Sequence, residues 1–161
     1  MIRIATPLDI DAILDIWNPI IRDSVFTFNS QQKTQANMVV LLEQKENAME
    51  PFIVSELDGR ILGFATYGQF RGGNGYRFTV EHTVIVGEGN SGLGIGRSLL
   101  QVIEKHAKNR GMHSMIAGVS ADNTVAVLFH AAIGYSEIAR LPEVGRKFDR
   151  WFDLVLMQKR L

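Results

Sequence analysis

Ile2 and Ile4 flank Arg3 in a short strand-like alternation that Thr6-Pro7 closes. From Asp9 the period changes. Ile10, Ile13, Leu14, Trp17, Ile20 and Ile21 fall at helical spacing, and Asn18-Pro19 is predicted to break or kink that helix. Ser24 to Ser30 reads as a loop carrying Phe26 and Phe28, and Met38, Val39, Leu41 and Leu42 mark one face of a second helix that ends before Pro51. Phe52 to Leu57 and Ile61 to Tyr67 are strand-like runs joined by Asp58-Gly59, a strong hairpin signal. After the flexible stretch Arg71-Gly72-Gly73-Asn74-Gly75, Phe78 to Val86 is a long β-rich run.

A glycine-dense turn from Gly87 to Gly96 then leads into an amphipathic helix with Leu99, Leu100, Ile103 and Ala107 on one side and Gly111 as its stop. Met115 to Val119 is a strand. The next helix is capped by Asp122 or Asn123, presents Val125, Leu128, Phe129 and Ala132 as its apolar face, and stops at Gly134. Two more strands lie near Tyr135 to Leu141 and Trp151 to Met157. The order is β-α-α-β-β-β-α-β-α-β-β. It predicts a mixed α/β fold, antiparallel in its front half, with one βαβ crossover behind.

Composition narrows the function more than the fold. The 161 residues carry no repeat or linker-like stretch, so one domain over residues 1–161 is expected. Seventeen Lys and Arg balance seventeen Asp and Glu, which argues against a nucleic-acid partner. The absence of Cys removes disulfides, thiolate metal sites and a cysteine nucleophile together. No apolar run approaches the ~20 residues that span a bilayer. The first residues lack a signal peptide's layout, so no membrane partner and a cytoplasmic location are expected.

Asn90-Ser91-Gly92-Leu93-Gly94-Ile95-Gly96-Arg97 lies between a strand and a helix, where free amides and the helix dipole favour an anion. A nucleotide P-loop fails because Ile95 stands where Lys is needed. The dinucleotide pattern fails because Arg97 stands where its third glycine belongs. A glycine-rich connection without a ligand, or a pyrophosphate site, are the readings left.

Val84 to Arg97 resembles the acyl-CoA pyrophosphate loop of the GNAT N-acetyltransferases, Gln/Arg-x-x-Gly-x-Gly/Ala, on Ser91, Gly94 and Gly96. Ser91 stands where that pattern carries Gln or Arg. Asn123 and Phe129 to Tyr135 are similar to the family's later helix, whose Asn faces the pantetheine arm. Phe70-Arg71, Arg77 to Thr83 and Gly145 to Asp153 look like the phosphinothricin and methionine sulfoximine acetyltransferase branch.

The resemblance implies a GNAT-like fold, acetyl-CoA as co-substrate, no metal, a small amino-acid-like acceptor and a homodimer. It implies cofactor contacts from Val84, Ile85 and Val86, from Ser91, Gly92, Leu93, Gly94, Ile95, Gly96 and Arg97 in the turn, and from Asn123. Another amine acceptor (a polyamine, an aminoglycoside, a protein N-terminus) and a non-catalytic CoA-binding module stay open.

The resemblance places the general base at Glu81. Alternation along Phe78 to Val86 sets Glu81 on one face with Thr79, Thr83 and Ile85, opposite His82, so Glu81 and His82 do not form a direct dyad. Glu81 is either that base or an ion-pair partner of Arg71 or Arg77. His130 stands where many relatives carry a Tyr that protonates the departing thiolate; it could equally pack beneath the cofactor or cap a carbonyl. Arg71 and Arg77 suit bidentate capture of a carboxylate or phosphinate, or are solvated. Phe28 and Tyr76 would wall the acceptor pocket, or belong to the core. His106 and His113 are expected on the surface. Lys147 to Asp153 is a dimer contact, a lid or a solvated turn.

Overall fold

A computed structural model describes all residues 1–161. Its elements run β1 (Ile2–Ile4), α1 (Ile10–Asp23), α2 (Gln35–Asn47), β2 (Phe52–Leu57), β3 (Arg60–Gln69), β4 (Thr79–Val86), α3 (Ile95–Asn109), β5 (Ser114–Ser120), α4 (Thr124–Ala132), β6 (Ser136–Lys147) and β7 (Arg150–Arg160). One sheet in the order β1-β2-β3-β4-β5-β7-β6 takes in every strand. The pairing is antiparallel except between β4 and β5, the two ends of the crossover through α3.

The sheet is covered on both faces because its strands alternate two apolar sets. Ile53, Ala65 and Tyr67 point to α3 and meet its buried stripe Leu99, Leu100 and Ile103. Phe52, Val54 and Phe64 point the other way, onto Ile10 and Ile13 of α1 and Met38 of α2. The Trp17 ring closes that side, 4.8 Å from Phe64. Each of the Ile, Leu, Val, Phe and Met side chains among these stabilises the fold by roughly 1.5–3 kcal/mol on full burial.

Three expectations need correction. Pro19 lies inside α1, which continues to Asp23; a proline costs one helical hydrogen bond, and packing of Ile21 on the far side holds the last turn. The apolar face assigned to α4 is displaced. Val125 and Leu128 are exposed, whereas Ala126, Val127, Phe129 and Ile133 pack on the core and His130 is buried. β6 extends to Lys147, well past Leu141, with register shifts at Glu137/Ala139 and Leu141/Gly145 absorbing its irregular sequence.

The feature that makes a site is a fork. β4 and β5 pair only from Thr79↔Ser114 to Glu81↔Ile116. β4 then runs on beside β3, and β5 beside β7, with nothing between them.

Candidate active site

Glu81 is the last β4 residue paired with β5, so it stands at the root of the fork. It forms neither a hydrogen bond nor an ion pair with the protein, and burial alone pushes its carboxyl above the ordinary value. The Arg71 or Arg77 ion pair is therefore not made. What receives the carboxylate is bare backbone: a Cβ on Gly118 would lie 2.7 Å from Glu81 Oε1. Gly118 and Ser120 share the sheet face of Glu81, since Ile116, its register partner, is two and four residues away.

Beyond Glu81 the β4 backbone itself offers free polar groups. Phe70 N–H donates to Thr79 O (3.0 Å) and Gly87 N–H to Leu62 O (2.8 Å). Antiparallel alternation between these bonds commits Glu81, Thr83 and Ile85 to β3 and turns the amides and carbonyls of Val84 and Val86 into the fork. Of the three residues expected to offer backbone groups, Ile85 does not. Its carbonyl crowds Gly63, where a Cβ would approach to 2.7 Å, and its side chain packs on the α1 side.

A cleft of about 540 Å³ follows the fork past Glu81, Val84 and Asn123. It shares Val84, Val86, Asn123 and His130 with a second hollow of about 770 Å³ over the glycine turn. There Gly92 and Gly94 have φ of +81° and +76° with open space around both. Gly94 caps α3 without a side-chain acceptor, so the first-turn amides of Ile95, Gly96 and Arg97 are left facing outward. Bare glycines, free amides and the positive end of a fifteen-residue helix suit a pyrophosphate. The free backbone of Val84 and Val86 suits an amide-bearing arm. These residues fit acetyl-CoA.

Asn123 caps α4, its Oδ1 accepting from Ala126 N–H at 3.1 Å, and it lines both hollows. His130 is buried. Its Nδ1 lies 2.7 Å from Ala126 O, which makes Nδ1 the protonated nitrogen, and Nε2 has no partner. Its ring stacks on His82 at 5.1 Å between centroids, and burial lowers both imidazoles, His82 to about 3.

A side pocket of about 250 Å³ opens next to Glu81 between Phe28, Ser120 and Leu154. Phe28 stacks on Phe152 (5.8 Å) and lies so flat on Gly145 that a Cβ there would be 2.1 Å from its ring. The 24–29 loop that carries Phe28 is held by Lys147, whose buried Nζ donates to Ser24 O (2.7 Å) and Thr27 O (2.9 Å). Lys147 is thus an internal anchor, contrary to the solvated turn considered for it.

Arg71, Tyr76 and Arg77 are exposed and line neither Glu81's cleft nor its side pocket. Arg71 lies over the Tyr76 ring and Arg77 over Phe78. His106 is not a free surface residue, since its Nδ1 pairs with Tyr67 OH at 2.8 Å. Gly118, Ser120, Gly145 and Lys147 were not visible as site residues from spacing. Only the cross-strand register brings them to Glu81 and Phe28. No group of three His, Asp or Glu side chains could hold a metal ion. No helix is long and apolar enough to cross a membrane.

Known proteins are similar to this chain over nearly its whole length. Residues 2–156 match the acetyltransferase (GNAT) domain. An L-methionine sulfoximine/L-methionine sulfone acetyltransferase of Salmonella typhimurium is 35% identical over 160 residues, 99% of this chain and 94% of that protein. A crystal structure described as a ribosomal-protein-alanine N-acetyltransferase from Brucella melitensis superposes with a TM-score of 0.97 at 37% identity, covering 100% of this chain and 99% of that one. The structure of yncA, a putative acetyltransferase from Salmonella typhimurium with its cofactor acetyl-CoA, gives 0.95 at 35%, covering 100% and 93%. With the forked sheet, the glycine turn and a match that runs almost end to end, the chain belongs to the GNAT acetyltransferases.

Proposed function

We propose that the protein transfers the acetyl group of acetyl-CoA to the amino group of a small amino acid, with methionine sulfoximine, methionine sulfone and phosphinothricin as the first acceptors to test. The observation that carries this reading is a half-buried, unpaired carboxylate at the root of a fork lined by free backbone amides.

Acetyl-CoA supplies an activated thioester. The first-turn amides of α3 hold its pyrophosphate, and the backbone of Val84 and Val86 holds the arm along β4. An amino acid arrives protonated near neutral pH, and Glu81, through water, takes a proton from its ammonium group. Burial suits Glu81 to this, because a carboxyl held above its usual value is a stronger base. The acid role considered for His130 gains no support. Its proton is committed to Ala126 O, its other nitrogen is buried, and a thiol of ordinary acidity near ~8.5 leaves without a dedicated acid.

The side pocket favours an amino acid over a polycation. Glu81 is its only acidic residue, Phe28 and Leu154 give it apolar walls, and Thr27 and Asn29 supply polar groups that Arg71 and Arg77 do not. The name of the Salmonella relative supports the same acceptor class. Exposed Tyr76, Phe78, Phe148 and Trp151 support a homodimer that covers them.

Thiol release from acetyl-CoA should be measured with methionine sulfoximine, phosphinothricin, spermidine and a peptide with N-terminal alanine. Turnover of the first two is expected. Turnover of spermidine alone would sink the reading, turnover of the peptide alone would move it to protein N-termini, and tight CoA binding with no turnover at all would mark a non-catalytic module.

A further inference from the structure

Ser120 ends β5 on the far wall of the fork from Glu81. It is 2% exposed, and its Oγ has no hydrogen-bond partner. A buried hydroxyl left unpaired costs about 1–3 kcal/mol, so native proteins seldom keep one idle. Its carbonyl accepts from Asn123 N–H at 2.9 Å, but Ala121 N–H donates to Asp153 O, so Ser120↔Leu154 is a non-hydrogen-bonded pair and the Ser120 N–H turns into the fork. The hydroxyl, on the sheet face of Glu81, is the side-chain group left over.

Its position is set by the pleat. Glu81, Gly118 and Ser120 share one sheet face, and all three line the side pocket with Phe28 and Leu154. The Glu81 carboxyl rests against Gly118, and Ser120 lies one pleat repeat further along β5, roughly 6.6 Å on. One nitrogen hydrogen-bonded to both side chains, or a nitrogen and one water, fills that interval. No other side-chain hydroxyl lines this pocket except Thr27, on the opposite loop wall.

We infer that Ser120 Oγ is the second anchor of the acceptor's amino group. Of the ammonium's three protons Glu81, directly or through water, removes one, and Ser120 Oγ accepts the N–H of one of the two that stay on the amine. The free amine, still held by that hydrogen bond, turns about it to bring its lone pair from the base into the fork, between β4 and β5, where the arm along Val84 and Val86 ends. The inference rests on the amino-acid acetyltransferase reading and adds a substrate-touching residue to it. No covalent bond to Ser120 is involved, since no base lies beside its oxygen.

Ser120→Ala separates this from a structural role. The variant removes an unpaired buried polar atom, so its Tm should match or exceed the wild-type value. Its kcat/KM for methionine sulfoximine should fall about 10- to 100-fold, as expected for one hydrogen bond to a charged or reacting group. The KM for acetyl-CoA should stay within twofold. An unchanged kcat/KM for the amino acid overturns the Ser120 assignment while leaving the function intact. A parallel rise in the acetyl-CoA KM overturns it too, by moving the hydroxyl to the donor side. Absence of wild-type turnover on any amino acid would overturn both.

Discussion

The carboxyl of Glu81 lies against the bare Cα of Gly118, closely enough that a methyl group there would meet Oε1 at 2.7 Å. A base on one strand is thus positioned by the missing side chain of another. Gly118→Ala should push the carboxyl out of the fork without opening the sheet, because the obstructed atom is the end of a flexible side chain. Its other close neighbour, Leu154 Cδ1, would sit at an ordinary 3.7 Å. We expect kcat/KM to fall about 100-fold, in line with small misplacements of catalytic groups, and Tm to change little. Steady-state kinetics beside a thermal melt checks both halves.

Glu81→Gln should lower kcat/KM by about 100-fold or more and remove the acid limb of its pH profile. The stability effect has the opposite sign. Burial raises the carboxyl's folded-state value above its unfolded one, so the folded protein holds that proton more tightly. Its contribution is complete below the unfolded value and is lost as pH rises through the folded one. The glutamine variant should therefore melt higher than wild type at pH 7, with the difference closing as pH falls below about 4. Equal melting temperatures at pH 7 would show that the buried charge costs nothing.

His82 predicts the reverse trend. Its ring, buried against His130 with no partner for either nitrogen, is held down to about 3. Between pH ~6.5 and that value the unfolded chain binds a proton that the folded chain refuses. Stability is intact above ~6.5 and is lost on acidification, at up to ~1.4 kcal/mol per pH unit for one proton. His82→Phe keeps the stack and should flatten the dependence of Tm on pH between 6.5 and 4. A slope unchanged from wild type would assign the acid sensitivity elsewhere.

Much of this was legible along the chain. Alternation over Phe78 to Val86 placed Glu81 and His82 on opposite faces, as they are. The glycine spacing located the free amides at the start of α3. What periodicity could not supply was register. Gly118 and Ser120 matter because Glu81↔Ile116 is the last pair before β4 and β5 part, a fact of tertiary pairing with no local trace.

The anchoring role of Lys147 is hidden in the sequence for a related reason. A lysine among charges and aromatics resembles a solvated turn until two carbonyls from residues 24 and 27 close around it. The α4 face failed by competition. Val125 and Leu128 fit an apolar stripe, but the helix rotates to bring Phe129 and His130 to the sheet beside the cleft. Arg71 and Arg77 were persuasive by chemical type, and geometry within one copy leaves them outside the pocket.

The Lys147 clasp also orders events in the birth of the enzyme. Ser24 and its anchor are separated by 123 residues, so the wall that carries Phe28 is secured only by one of the longest-range contacts in the chain. During synthesis, the turn at α3 leaves the ribosome well before the β6–β7 hairpin. A nascent chain halted ahead of residue 147 already carries Glu81 and Ser120 but lacks the clasp that secures the wall bearing Phe28. The last hairpin therefore supplies both the antiparallel partner of β5 and the clasp that closes the side pocket.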